Sequence, residues 1–144
     1  MNIGYVWDAE ENLIISIWNG IVTFNEWRSN VERLLNDPKF SSTNKYLVDM
    51  RFGSADSSIG KEQIQEMASL IESKVKKILN MKLAIVGTKE FEKSLLFRSF
   101  MQPEALAVIA FSDMRIACTW LEIDLAKTEE KINDLREKLR SNKG

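Results

Sequence analysis

The feature that most constrains this sequence is an alternation. Short apolar runs at residues 83–86 and 107–111, and at 46–50 with Asp49 as its one polar member, are separated by longer stretches whose apolar residues recur three and four apart. A run that is apolar at every position suits a strand covered on both faces, whereas a 3–4 spacing makes one face of a helix. Strands that alternate with helices join through parallel crossovers. Two more β-branched and aromatic runs, residues 5–7 and 13–18, flank the polar stretch 8–12 and predict an N-terminal hairpin. The order is β-β-α-β-α-β-α-β-α. It predicts an α/β fold with a mixed, mostly parallel sheet of about five strands, the hairpin adding an antiparallel edge.

Local signals punctuate this order. Gly20 is expected to break the second strand. Thr23 followed by Glu26 has capping-box spacing, and Phe24, Trp27, Val31, Leu34 and Leu35 form the apolar face of the next helix. That helix should stop before Asp37-Pro38, because proline disfavours helical geometry in the residue before it. A loop over residues 52–60 leads to a second helix, whose face carries Ile64, Met67, Leu70, Ile71, Val75, Ile78 and Leu79. Gly87 ends the strand 83–86, Thr88 is placed to cap a helix over 89–101, and Pro103 closes it. Ser112 or Asp113 should cap a final helix running to near Arg140.

Composition removes whole classes of chemistry. The 144 residues suit one domain, and 44% hydrophobic content can fill a core. There is no histidine, which rules out Ser-His-Asp and Cys-His machinery and any metal site built on imidazole. Cys118 is the one cysteine, so no internal disulfide forms; apolar neighbours suggest an inert core residue. No metal or cofactor is expected. Twenty basic and 21 acidic residues are spread along the chain without a basic stripe, which gives nucleic-acid binding little support. The apolar runs fall far short of the ~20 residues of a membrane span, and the start lacks the pattern of a secretion signal. A cytoplasmic address is the default expectation.

Four features can carry function. Ser57 and Ser58, beside Asp56, stand where a helix begins, and there they either cap it or mark an anion or phosphate site. Asp49 and Arg51 end the central strand, at the edge where open α/β sheets hold ligands, and form either an ion pair or part of a binding site. The helix 89–101 is apolar on more than one face. Phe97, Phe100 and Met101 line either a pocket for an apolar small molecule, a partner surface, or a helix packed on all sides. No base is placed to activate a serine, so catalysis is not expected. The fourth feature is the segment 124–144, an amphipathic tail beyond a domain at 1–123. Leu125, Thr128, Ile132, Leu135 and Leu139 follow a heptad register whose flanking charges disfavour a parallel pair and permit an antiparallel one. The seam suits an antiparallel homodimer, docking on another helix, or a helix folded back on its own sheet. A homodimer through the tail is expected, since a solvated tail would leave Ile132, Leu135 and Leu139 in water.

Three stretches resemble the STAS superfamily, the anti-sigma-factor antagonists and their single-domain bacterial relatives. Tyr46-Leu47-Val48-Asp49-Met50-Arg51 looks like the family's central strand. Asp56-Ser57-Ser58-Ile59-Gly60 looks like its Asp-Ser-Ser-Gly turn, here with Ile59 before the glycine. Val108-Ile109-Ala110-Phe111-Ser112-Asp113, with Ala117 and Trp120-Leu121, looks like its closing strand and helix. The likeness spans residues 3–123. It implies a SpoIIAA-like fold, a regulatory or protein-interaction role without catalysis, and Ser57 as a phosphoacceptor with Ser58 second.

Overall fold

Each crossover between neighbouring parallel strands takes the right-handed path, so crossovers that step the same way across a sheet leave their helices on one face. That rule organises this molecule. The computed structural model describes residues 1–75, 78, 80–102, 104 and 106–141. Its sheet has the order β1-β2-β3-β4-β5, from β1 (Ile3–Asp8), β2 (Leu13–Val22), β3 (Lys45–Ala55), β4 (Lys82–Val86) and β5 (Ala107–Phe111). β1 is antiparallel to β2, and the remaining pairs are parallel. The crossover helices α1 (Phe24–Leu35), α2 (Lys61–Val75) and α3 (Phe91–Ser99) share one face, where Val31, Leu34, Ile64, Met67, Ile71 and Phe97 pack on Ile14, Trp18, Tyr46 and Leu83. The mixed α/β sheet is thus as the sequence predicts.

The second face is covered by the chain beyond β5. Helices α4 (Met114–Leu121) and α5 (Leu125–Ser141) bury Leu13, Ile15, Ile17, Leu47, Ala84 and Val86 beneath Ala117, Cys118, Leu121, Ile132, Leu135 and Leu139. α4 lies over β4, and α5 lies over β1 and β2. The segment expected as an appended tail is therefore half of the second layer. Ile132 is wholly buried, Leu135 and Leu139 are 8% exposed, and Leu125 packs against the same cluster. This corrects the argument for self-association. The seam meets the strands of its own chain, and pairing through it would require α5 to leave the sheet.

The expected final helix is two helices. Glu122 takes a left-handed conformation (φ 58°), and the Ile123 N–H closes back on the Cys118 carbonyl at 3.0 Å. The Asp124 carboxylate then accepts the Lys127 N–H at 2.8 Å and starts α5. The heptad register of α5 therefore does not run on into Cys118 and Leu121 of α4.

Two strands run further than their sequences suggest. Gly20 (φ 103°) does not end β2, which continues to Val22, and β3 continues through the expected loop to Ala55. The register moves from Ile17 opposite Asp49 to Asn19 opposite Phe52, so β3 carries an extra residue there, a β-bulge. Gly53 follows the bulge. A Cβ at this position would lie 2.4 Å from the Trp18 Cβ, so the close approach of the two strands depends on glycine.

Helix starts follow local hydrogen bonding. The Thr23–Glu26 capping box forms in both directions at 3.2 Å, as its spacing predicts. A 3-10 turn, Pro38–Ser42, follows α1 with Asp37 as its cap, an element the sequence pattern does not announce. Thr88 does not cap α3 with its side chain. The helix begins two residues later than expected, with Glu90 at the N-cap position and the Glu90 carboxylate accepting the Ala55 N–H. Leu79 and Pro103, given roles in the second helix's stripe and the third helix's end, lie outside the described residues.

Candidate functional site

The turn that joins β3 to α2 is braced from two sides. The Asp56 carboxylate accepts the Ser58 N–H at 2.8 Å and the Ser58 hydroxyl, an Asx turn. The Ser58 oxygen in turn accepts the Phe24 N–H at 2.8 Å, in the first turn of α1. Ser58 therefore serves the helix before β3, whereas the sequence placed it at the start of the helix after the turn. At that helix, Gln63 reaches back to the Gly60 N–H at 3.0 Å, a capping box without a serine. Ser57 is exposed at the apex. It lines an open concavity with Thr23, Phe24, Asn25, Asp56 and Gln63, so the first turns of α1 and α2 converge on one surface. Helix starts present unpaired N–H groups and a partial positive charge. Asp56 supplies a negative charge at the same place. The Ser57 side chain is exposed, while the Asp56 carboxylate is engaged by Ser58.

Asp49 and Arg51 come together as an ion pair, one of the two readings open in the sequence. Arg51 Nε and Nη2 donate to the two Asp49 oxygens at 2.9 Å each, and Arg51 Nη2 also reaches Glu129 at 2.8 Å. Arg136 Nη2 lies 3.5 Å from Asp49, whose side chain is 1% exposed. The hydrogen bonds to Asp49 hold the Arg51 guanidinium still more firmly protonated than usual. Phe52 lies against both guanidiniums, 4.4 Å from that of Arg136 and 5.7 Å from that of Arg51, yet is 57% exposed. Two carboxylates balance two guanidiniums, so the cluster carries little net charge. It joins β3 to α5. The sheet order follows the sequence without reversal, so no switch-point crevice of the doubly wound kind opens here.

The third candidate region divides. Phe97 is buried and lines an apolar cavity of about 50 Å³ beneath α3, with Trp18, Trp27, Met50, Ile64 and Ile85. Met101 is buried and lines a separate groove along β5, and Phe100 is half-buried against the core. Phe91 and Leu95 face outward at 37% and 42% exposure. The helix is therefore not enclosed on all sides. The cavity is well below the ~300 Å³ at which small-molecule pockets begin. Cys118 is buried, and desolvation pushes its thiol up to about 11, as its apolar neighbours suggest.

Phe52, Glu129 and Arg136 join this cluster without any signal in the sequence. Glu129 lies 78 positions from Arg51, and no local spacing links them. The partner of Ser58 is a backbone N–H 34 positions away, equally invisible to a motif. Among the described residues, no group of acidic and cysteine side chains is arranged to hold a metal ion, and no helix is long and apolar enough to cross a membrane.

No protein-family model matches the chain, and no curated protein matches it. Among solved structures it is similar to an uncharacterized protein of the DUF3478 family with a SpoIIAA-like fold, from Shewanella loihica PV-4. The two are 17% identical, and the match covers 83% of this chain and 91% of that one with a TM-score of 0.52. With its mixed five-stranded sheet and its two helical layers, the chain has the SpoIIAA-like fold that its resemblance to the STAS superfamily implies.

Proposed function

We propose that this protein is a non-catalytic interaction module of the cytoplasm, which meets a protein partner through the turn 56–60 and is controlled by phosphorylation of Ser57. The observation that carries this reading is a contrast between adjacent, equally exposed serines: the Ser58 hydroxyl is engaged by Asp56 and Phe24, while that of Ser57 has no hydrogen-bond partner among the described residues. A phosphate there would add a charge of about −1.5 to −2 beside Asp56. It would alter a contact surface without disturbing the brace beneath it. Photo-crosslinking tests the reading directly. A benzophenone amino acid at position 57, in the cell that makes the protein, is expected to give a discrete protein adduct that the same reporter at exposed Glu137 does not. Intact mass of the unlabelled protein should show an added phosphate that Ser57→Ala removes. Equal labelling from both positions, together with an unmodified mass, would refute it.

A second reading, a carrier of an apolar small molecule, is favoured by the apolar cavity under α3 and by the outward Phe91 and Leu95. Occupation by anything larger than a few heavy atoms requires α3 to move off the sheet. Organic extraction of the purified protein followed by mass spectrometry separates the readings, since a carrier returns a stoichiometric apolar compound.

A further inference from the structure

The outer edge of β1 lies at the floor of a groove between the two helical layers. Alternate residues of a strand direct their backbone groups to opposite sides. The Asn2 carbonyl accepts from Asn19 at 2.7 Å and the Gly4 carbonyl accepts from the Ser16 hydroxyl, so the even-numbered residues face β2. Ile3, Tyr5 and Trp7 therefore direct their N–H and C=O groups outward. No strand pairs with this edge among the described residues. The groove has a volume of about 590 Å³, with Ile3, Gly4, Leu135 and Leu139 as its apolar floor and Arg33 and Lys138 on its two walls.

The charged residues that line the groove are both cations, whereas acids stand at the ends of the edge, where Glu26 accepts the Asn2 N–H at 3.2 Å. Arg33 and Lys138 are exposed, and neither pairs with a carboxylate among the described residues. Lys39 adds a third cation, 5.0 Å above the Trp7 ring. Lys127 flanks the far end, where it meets Glu10 at 3.6 Å. Asp37 stands on the same edge and accepts the Tyr5 hydroxyl at 3.2 Å. Cations beside an open edge repel a second copy of the same edge, one way that native sheets avoid pairing with themselves. They attract an extended segment of opposite charge.

We infer that the β1 edge is a docking site for an extended acidic peptide of a partner protein, added to the sheet as a sixth strand between Arg33 on α1 and Lys138 on α5. Main-chain hydrogen bonds to Tyr5 and Trp7 supply the attachment, and carboxylates on the peptide meet Arg33, Lys39 and Lys138. An anionic membrane surface would satisfy the cations but not the outward backbone groups, which is why a peptide is the better fit. This site stands apart from the Ser57 turn and does not rest on it.

The probe is a fluorescein-labelled acetyl-Glu-Glu-Val-Thr-Val-Glu-Glu amide, titrated with the full chain and followed by anisotropy. Two further versions carry N-methyl groups on alternate residues, one on each edge of the peptide. Saturable binding is expected, lost with one N-methylated version and kept with the other. Arg33→Glu with Lys138→Glu should weaken it by about tenfold or more, with the fold checked by circular dichroism. Equal binding by both N-methylated versions would reduce the site to unspecific charge attraction and overturn the inference. Absence of saturable binding would overturn it too. So would phosphatidylserine vesicles that bind with the same dependence on Arg33 and Lys138 and displace the peptide, since the surface would then be a membrane contact.

Discussion

The Ser58 hydroxyl accepts the Phe24 N–H at 2.8 Å and so fastens the turn before α2 to the first turn of α1. It also donates to Asp56. Ser58→Ala removes both bonds and is expected to cost about 1 kcal/mol in urea unfolding. Ser57→Ala, at an exposed apex, should change stability by less than about 0.5 kcal/mol. Equal losses at the two positions would show that the brace is not where the hydrogen bonds place it.

Asp49→Ala leaves Arg51 and Arg136 without their buried acceptor. Loss of one partner of a buried ion pair costs about 3–5 kcal/mol, and the lower end applies because Arg51 keeps Glu129 and is partly solvated. Chemical denaturation reads this directly. A loss below about 1 kcal/mol would mean that the cluster behaves as a surface pair.

Gly53→Ala should be among the most damaging single changes in the sheet. Its new methyl group would meet the Trp18 Cβ at 2.4 Å and the Trp18 backbone at 2.7 Å, neither of which can rotate away. The expected loss is about 3 kcal/mol, seen as a lowered unfolding midpoint. Unchanged stability would show that the bulge can shift to accommodate it.

Ending the chain at Ile123 removes α5 and bares Ile15 and Ile17, each fully buried in the intact protein. The truncated chain should lose cooperative thermal unfolding and aggregate. Within the full chain, Ile132→Ala should cost about 2–5 kcal/mol. A shortened chain that unfolds cooperatively would restore the view of this segment as an appendage.

The Cys118 thiol sits at about 11 in the folded state against an ordinary 9.0, because burial disfavours the thiolate. Its contribution to stability is complete below pH ~9, where both states are protonated. Above that the unfolded thiol ionises first, so the contribution falls as pH rises toward about 11. Iodoacetamide at pH 8 should leave the native thiol intact and modify it in urea; rapid native labelling would contradict the burial.

Much of the fold is legible in the residues themselves. The β-branched runs mark the strands, the Thr23–Glu26 spacing marks the start of α1, and the apolar stripe of α2 marks its buried face. What escapes is whatever depends on a distant neighbour. Gly53, Ser54 and Ala55 have weak strand preferences and become β3 because Gly20, Ile21 and Val22 lie alongside them. A heptad seam reports that one face of a helix is covered, not by what. Here the cover is β1 and β2, so the same leucines that suggest a second copy fill the protein's own core. The cationic walls of the β1 groove are equally silent in the sequence, because Arg33 and Lys138 come to one groove only once α1 and α5 flank the edge of the sheet.

The covering of the second face by α5 fixes an order of events during synthesis. Leu13, Ile15 and Ile17 leave the ribosome on the order of ten seconds before Ile132, Leu135 and Leu139, at usual rates of elongation. The three crossover helices can settle on their side as each is made, yet the opposite side stays bare and sticky through most of translation. The nascent chain thus carries an uncovered apolar sheet face until the residues of α5 emerge and cover it.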